Sequence, residues 1–229
     1  METLQLFLDN FADWDSFVRI WPLLWQGLQL TVLLSIVTLP IAAAAGLLIA
    51  ILYSFHHKPL NVALLIWIDL FRSFPVLVLL ILIFYGLPFL GLTLPSFAAC
   101  VLALTLNNSG YYGEIFRAGI ESVHPSQRAA ARSLGLSHRQ SMRLVILPQA
   151  VRRVLPPLLN DFVALQKDVG LISVLGAVDA IRAAQIEAAR TFNFTPYVVA
   201  GLLFVLLAIP TGRIADAAAA RATRRQEGA

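Results

Sequence analysis

Polar side chains within otherwise apolar stretches are the first candidates for chemistry in this sequence. Asp69 and Arg72 stand three residues apart, so on a helix their charges can pair across one turn. An ionisable group at the depth of a bilayer costs about 2.5–3.5 kcal/mol on insertion scales, so each requires a partner or a function. Pro75 follows closely and has no backbone N–H, so it can break the helix and free backbone groups that line a cavity. The pattern predicts either a gate element of a transport pathway or an internal ion pair that the packing tolerates.

A second polar group follows the spacing of one helical face. Asn107, Tyr111 and Glu114 occupy positions i, i+4 and i+7. Such a stripe is suited to line the path of a polar solute across a membrane. Glu114 can instead lie near the end of its helix and pair with Arg117, and the sequence leaves both interpretations open.

A third polar group lies further along the chain. Asn160 and Lys167 are seven residues apart and share one helical face, while Asp161 and Asp168 share the adjacent face. Lipid does not accept such a surface, so it must turn inward or towards a partner subunit. Contact with a solute and structural pairing at a subunit interface both fit this pattern.

The sequence lacks the residue sets of an enzyme or of a metal site. An intramembrane enzyme needs a nucleophile with a base, or paired acids in a polar pocket, and Ser109 and Ser173 have no histidine within the predicted spans. His124 and His138 give no metal-ligand spacing, and the single Cys100 excludes a disulfide framework. No G-x-x-x-x-G-K-[ST] motif occurs, so we expect no cofactor in this chain and any ATP to be bound by another chain.

The elements that carry these residues are predicted to be membrane-spanning helices. The 229 residues are 59% hydrophobic and 13% charged, with a mean hydropathy of +0.77, whereas a soluble globular protein is about 25% charged. A helix needs about 20 apolar residues to cross the hydrocarbon core. Five spans are predicted. The first covers 27–53, the second begins at 60 and ends within the charge-free run 73–113, and the third lies wholly within that run. The fourth covers 155–178 and the fifth 197–212. The expected fold class is all-α, a polytopic membrane protein.

Basic residues predict the orientation of the chain. Residues 117–153 carry seven arginines between the third and fourth spans, and the tail after the fifth span is also basic. The positive-inside rule places both in the cytoplasm and the acidic N-terminus outside. The predicted layout is a periplasmic or interfacial segment (1–22), a transmembrane domain (23–217) containing a cytoplasmic loop (121–148), and a basic cytoplasmic tail (218–229). Because the basic residues lie between apolar blocks, they indicate topology and not nucleic-acid binding.

The cytoplasmic loop 121–148, called the insert below, reads as two short helices. Ser126 can cap the first helix, and Gly135 suits the left-handed residue that ends it. Ser137 and Gln140 have the spacing of a capping box at the start of the second helix, and Pro148 is expected to close the segment. The insert is either a basic loop that only enforces topology, or a surface of small residues built to dock another protein.

The residues "AAARSLGLSHRQSMRLVILPQA" resemble the coupling motif of ABC importer permeases. The family pattern starts with Glu-Ala-Ala and continues with a glycine and a Leu-Pro pair, but this chain has Ala129 in place of the glutamate. The stretches "FRSFPVLVLLILIFYGLP", "LTLNNSGYYGEIFRAGIESV" and "LPQAVRRVLPPLLNDFVALQKDVGLISVL" are similar to the polar amino acid branch of these permeases. The resemblance assigns ATPase coupling to Ala129, Ala130, Ala131, Gly135, Leu136 and Pro148.

The resemblance implies the fold and partners of a type I ABC importer permease. It predicts an inner-membrane protein that pairs with a second permease chain, identical or related, and moves a polar amino acid or similar small solute. A cytoplasmic ATPase subunit would bind ATP and Mg, and a periplasmic solute-binding protein would deliver the ligand. A small channel or membrane scaffold without ATPase coupling remains the alternative. The candidate residues for the translocation path are Asp69, Arg72, Asn107, Tyr111, Glu114, Asn160, Asp161, Lys167 and Asp168.

Overall fold

The computed structural model describes residues 2–55 and 57–227. Within those residues the chain forms ten α-helices and no strand, as expected for an all-α protein. The helices are α1 (Glu2–Phe11), α2 (Trp14–Tyr53), α3 (Lys58–Ser73), α4 (Val76–Ile81), α5 (Ser96–Glu121), α6 (Pro125–Ser133), α7 (His138–Ser141), α8 (Leu147–Val169), α9 (Ala180–Thr191) and α10 (Thr195–Glu227). Short π or 3-10 turns continue α4, α7 and α8.

Among the described residues, two helical runs are long and apolar enough by themselves to cross a membrane, and the first of them includes both α1 and α2. They cover Glu2–Tyr53 and Thr195–Ala218. The number rises to four if each of two broken helices counts as one span: Lys58–Ser73 with Val76–Leu90, and His138–Leu175 with Ala180–Thr191. The structure thus has membrane-spanning helices, and the count of five spans stays a prediction.

Two boundaries of the predicted layout do not coincide with the ends of helices. Helix α2 runs without a break from Trp14, so neither position 22 nor the predicted start of the first span at 27 is an end. Helix α10 likewise continues through position 217 to Glu227. The rest of the predicted layout stays a prediction.

The chain divides into two compact units, each assembled from segments that are distant in sequence. Unit 1 contains Met1–Thr38, Val76–Leu104 and Val163–Thr211, and unit 2 contains Leu39–Pro75, Thr105–Phe162 and Gly212–Ala229. In unit 1 the apolar core joins the first half of α2 to α9 and α10. Its buried residues are Ile20, Leu24, Leu28, Ala180, Ala183, Ala184, Val199, Ala200 and Leu203.

The apolar core of unit 2 includes the insert. It joins the second half of α2 and the end of α5 to the π turn after α7 and the start of α8. The insert is therefore packed onto the spanning helices and is not a free loop. The buried residues of this core are Ala42, Ala50, Tyr112, Phe116, Ile120, Val123, Met142, Ile146, Ala150 and Val154.

Two glycines allow α2 to be approached closely, one in each unit. A Cβ built on Gly27 would lie 2.2 Å from the backbone nitrogen of Ala180 at the start of α9. A Cβ on Gly46 would lie 2.5 Å from Cβ of Tyr112 and 2.7 Å from the backbone nitrogen of Gly113 on α5. Backbone atoms cannot move aside as a flexible side chain can, so both positions require glycine.

The break between α3 and α4 is stabilised by a side chain from α5. Helix α3 ends at Ser73, and Phe74 is extended (φ −77°, ψ 124°) because the residue before a proline avoids the helical region. Pro75 has no N–H to bond the Phe71 carbonyl, so this acceptor loses its helical partner. The side-chain amide of Asn107, which is buried, donates to the Phe71 carbonyl at 2.7 Å and to the Phe74 carbonyl at 3.1 Å.

We expect Gly46→Ala to destabilise the fold by about 1–3 kcal/mol, because the new methyl overlaps backbone atoms of α5. The matched control is Gly201→Ala on α10, where a Cβ meets no atom within 4 Å. That control should be neutral or slightly stabilising, since alanine favours helix over glycine. Thermal unfolding in detergent would measure both, and equal midpoints for the two variants would contradict the close α2–α5 packing.

We expect Asn107→Leu to destabilise the fold by about 1–3 kcal/mol, because it leaves two carbonyls at the α3 break without their donor. Asn108→Leu is the comparison variant, since Asn108 is also a buried amide on α5, whereas the Asn107 amide donates to these two carbonyls. Thermal unfolding and proteolysis near residue 75 would measure the effect. Unchanged cleavage at the break in Asn107→Leu would contradict this role.

Candidate functional site

The first helix of the insert begins two residues earlier than the sequence predicts. The N-cap of α6 is His124, whose ring Nδ1 accepts a hydrogen bond from the Ser126 backbone N–H at 3.2 Å. The prediction that Ser126 is the cap is therefore wrong. Pro125 is the reason, because its fixed φ suits the first helical position and places the cap just before it.

The end of α6 has the predicted left-handed glycine. Gly135 has a φ of +79°, and its N–H donates to the Arg132 carbonyl at 3.0 Å. The Leu136 N–H donates to the Ala131 carbonyl at 3.2 Å. These two bonds form a Schellman motif, which satisfies carbonyls that the end of a helix leaves free.

The second helix of the insert begins with the predicted capping box. The Ser137 hydroxyl accepts from the Gln140 N–H at 3.3 Å, and the Gln140 side chain accepts from the Ser137 N–H at 2.8 Å. Both turns of the insert are therefore fixed by specific hydrogen bonds. An insert that only carried positive charge would not require this order.

Pro148 does not close the insert, which corrects the prediction. Helix α7 passes through a π turn, Met142–Ile146, directly into α8. Proline cannot donate to the carbonyl four residues earlier, and the wider π turn just before it accommodates that loss. The Gln149 side-chain amide donates to the Val145 carbonyl at 2.9 Å, which supplies a donor in the same turn. Movement of the insert can thus pass along one continuous helix.

The exposed face of the insert is less uniform than a surface of alanines. Ala131 is buried, with 3% of its surface exposed, whereas Ala129 and Ala130 are exposed. Leu134 has 82% of its surface exposed, directly before the exposed Gly135. The sequence interpretation missed Leu134, although a leucine immediately before a left-handed glycine in a polar loop was the available signal.

Arg153 fixes the base of the insert to α5. Its guanidinium donates to the Ser122 carbonyl and, at 3.0 Å, to the Ser122 hydroxyl. Because Arg153 belongs to α8, this contact joins the two helices between which the insert is held. The sequence alone predicts only a topological role for Arg153.

Arg117 stabilises the same end of α5 through contacts with Glu114, Glu121 and Tyr53, together called the Arg117 brace below. Its guanidinium pairs with Glu114 and Glu121, each at 2.6 Å, and lies over the Tyr53 ring at 5.6 Å from the centroid. The pairing of Glu114 with Arg117 is one of the two alternatives drawn from the sequence. Tyr53 ends α2, so the brace links α2 to α5 beside the insert.

A groove, called the α5–α6 groove below, opens where the end of α5 meets the first helix of the insert. Its volume is about 460 Å³. Apolar residues, two arginines and one carboxylate line it. The lining residues are Ile120, Glu121, Val123, Pro125, Arg128, Ala129 and Arg132.

The predicted ion pair between Asp69 and Arg72 is absent, which corrects that alternative. Asp69 is exposed and belongs to none of the ion pairs in the described part of the chain, which join Arg19 or Arg190 to Glu187 and Arg117 to Glu114 or Glu121. The Arg72 guanidinium lies over the Tyr111 ring, 5.3 Å from its centroid. The Tyr111 hydroxyl donates to the Arg72 carbonyl at 3.1 Å, and this bond brings the ring to the arginine.

The predicted polar stripe on α5 separates into different roles. Asn107 is buried and Tyr111 half-exposed, and both bond carbonyls near the end of α3. Glu114 belongs to the Arg117 brace. These three contacts account for the stripe within unit 2, and no solute is needed to explain them.

The polar residues of α8 divide by exposure. Asn160 and Lys167 are exposed, and Asp161 and Asp168 are partly buried. In unit 1, a groove of about 220 Å³ adjoins Lys167 and is otherwise lined mainly by apolar residues of α8 and α10. No group of three or more His, Cys, Asp or Glu residues in the described part of the chain could hold a metal ion.

Residues 42–224 match the family model described as "Binding-protein-dependent transport system inner membrane component". The arginine transport system permease protein ArtQ of Bacillus subtilis (strain 168) is 30% identical over 204 residues, which are 86% of this chain and 91% of that protein. The glutamine transport system permease protein GlnP of Escherichia coli (strain K12) is 34% identical over 183 residues, which are 79% and 84% of the two chains.

Solved structures share the fold. A crystal structure of an amino acid ABC transporter with histidines matches with a TM-score of 0.83 and 36% identity, over 92% of this chain and 99% of that one. The inward-facing MetNI methionine ABC transporter matches with a TM-score of 0.74 at 19% identity, over 87% and 96% of the two chains, a likeness of fold alone. With the family model covering most of its length, this chain belongs to the family of binding-protein-dependent transport system inner membrane components.

Proposed function

We propose that this chain is the permease subunit of an ABC importer that carries a polar amino acid or similar small solute across the bacterial inner membrane. ATP hydrolysis in a partner subunit drives the transport. The observation that carries the proposal is the insert, a hydrogen-bonded pair of helices whose buried side belongs to the core of unit 2. The substrate class is supported by relatives whose names specify arginine and glutamine transport.

The partners follow from the same proposal. A cytoplasmic ATPase subunit binds ATP and Mg and docks on the insert, a second permease chain completes the membrane part, and a periplasmic solute-binding protein delivers the solute. The insert and the C-terminus then lie in the cytoplasm and the N-terminus outside. The excess of arginine in the insert supports this orientation, because basic loops stay on the cytoplasmic side.

The docking face consists of the exposed residues of the insert. Ala129, Ala130 and Gly135 let another backbone approach, and Leu134 offers an apolar side chain to a partner. Leu136 and the buried Ala131 hold the turn through the Schellman motif. Pro148 contributes indirectly, through the π turn that joins the insert to α8.

Coupling requires that each subunit favours one of two states of the other. Closure of the ATPase pair would displace the docked insert. The Arg153–Ser122 contact and the Arg117 brace carry that displacement into α5 and α8, since both bind the insert's base to spanning helices. The core of unit 2 carries it to α2.

The exposed polar residues of the spanning helices are the candidates for the solute path. Asp69, Asn160 and Lys167 are exposed in this chain, and lipid is an unfavourable environment for them. They therefore face the second permease chain or an aqueous path. Asp161 and Asp168 flank that face on α8, whereas Arg72, Asn107, Tyr111 and Glu114 have structural partners described above.

The first test is a pull-down of the detergent-solubilised chain from its native cell, read by mass spectrometry. We expect an ATPase with a G-x-x-x-x-G-K-[ST] motif to be retained, and Leu134→Asp to lose it by placing a charge on the docking face. Leu90→Asp is the control, since Leu90 is 77% exposed and outside the insert. If the wild-type chain retains no such ATPase, the channel or scaffold alternative is favoured.

A second test concerns the turn of the insert. Gly135→Ala should weaken ATPase retention, because a left-handed backbone costs an alanine about 1 kcal/mol and relaxing it moves Leu134. Gly135→Asn should weaken it less, as asparagine tolerates this conformation.

Gly91→Ala is the matched control for the turn. Gly91 also has a left-handed φ of +80°, and neither glycine has an atom within 4 Å of a built Cβ. The control should retain the ATPase as the wild type does. Equal retention by all three variants would show that the turn geometry is not used in docking.

A further inference from the structure

The α5–α6 groove carries one more positive charge than the carboxylates in and beside it neutralise. Glu121 shares Arg117 with Glu114, so three arginines (Arg117, Arg128 and Arg132) lie beside two carboxylates, and one positive charge is left without a carboxylate. Arg132 donates to the carbonyl of Leu136 at 3.0 Å, an uncharged acceptor. Arg128 makes no hydrogen bond or ion pair with the described residues. Residues 122–160 contain no Asp or Glu, so no nearby acid in the sequence could take that place.

The groove is held in shape before any partner arrives. Ile120 and Val123, two of its apolar lining residues, are buried in the core of unit 2. Arg153 donates a hydrogen bond to Ser122, which lies between these two residues in the sequence, and the ion pair with Arg117 holds Glu121 in place. A preformed groove loses little conformational entropy when it is occupied.

Ala129 is the smallest side chain in the lining of this groove. It lines the groove together with Arg128 and Arg132. It also occupies the first position of the coupling motif, where the family pattern has glutamate and this chain does not. A longer acidic side chain at this position would extend towards the two arginines and compensate their charge within the chain.

We propose that the partner ATPase supplies the missing carboxylate, by inserting an Asp or Glu side chain into the α5–α6 groove between Arg128 and Arg132. This inference rests on the proposed function. A guanidinium presents paired N–H donors that match a carboxylate, and the apolar lining strengthens such a pair by excluding water. The groove therefore selects an ATPase that carries an acid at the matching position.

The test measures the affinity of the ATPase retained in the pull-down for the full chain in nanodiscs of neutral phosphatidylcholine. Arg128→Glu should weaken binding by about tenfold or more, as loss of a close charge pair does at other interfaces. Arg152→Glu is the matched control, because Arg152 is exposed, free of ion pairs with the described residues and outside the groove. That control should bind within about twofold of the wild type.

A second pair of variants changes charge without changing shape. Ala129→Glu should bind the ATPase more weakly than Ala129→Gln, since the new carboxylate competes with the incoming one for the same arginines. If the glutamate of the family pattern instead made its own contact with the ATPase here, Ala129→Glu would bind more tightly. Gel filtration and thermal unfolding would confirm that all variants remain folded.

The other outcomes are distinct. Equal binding by Arg128→Glu and wild type would overturn the groove contact and leave the proposed function intact. Equal weakening by Arg152→Glu would mean a diffuse attraction to the basic insert and would also overturn it. Wild-type binding that appears only in nanodiscs with anionic phosphatidylglycerol would make a lipid headgroup the occupant. Absence of any binding by the wild type would instead contradict the proposed function.

Discussion

The apolar core of unit 2 is the interaction that holds the insert to the spanning helices. It packs Met142 and Ile146 of the insert against Phe116 and Ile120 at the end of α5. A docking element can transmit force only if it moves together with the helices that form the path. Burial of each such side chain is worth about 1.5–3 kcal/mol, so separation of the insert from its helices is unfavourable. Polar contacts then fix its position: Arg153 to Ser122, and Arg117 to Glu121.

A second constraint is that a chain in a bilayer must satisfy its backbone groups internally. Pro75 interrupts α3 and leaves carbonyls without helical donors, and Asn107 and Tyr111 on α5 supply replacements. Several residues that suggested a solute path from the sequence thus have a structural role. The residues still available for a path are the exposed ones on α3 and α8, among them Asp69 and Lys167.

The sequence predicted the features that depend on local chemistry. The left-handed Gly135 and the capping box of Ser137 follow from residues a few positions apart, and both are present. Features set by tertiary contacts were not predictable in this way. Asp69 and Arg72 have the spacing of an ion pair, but the ring of Tyr111, some forty positions later, draws the arginine away. Pro148 looked like an end because the compensating π turn has no simple sequence signature.

The α5–α6 groove also depends on tertiary contacts that the sequence does not show. The replacement of the motif's glutamate by Ala129 is visible in the sequence, but its consequence is not. Only the folded chain shows that Ala129 lines the same cavity as Arg128 and Arg132, and that Glu121 is already paired. Under the proposal made for this groove, the departure from the family pattern is a change in which subunit contributes the acid.

The coupling role of the insert is measured most directly by ATP hydrolysis of the retained ATPase. The ATPase is reconstituted with this chain in nanodiscs, together with its solute-binding protein and a polar amino acid. With the wild-type chain, hydrolysis should rise when the amino acid is added. With Leu134→Asp the stimulation should disappear, because the ATPase no longer docks on the insert. Full stimulation with Leu134→Asp would contradict the claim that the insert is the element through which ATP hydrolysis and transport are coupled.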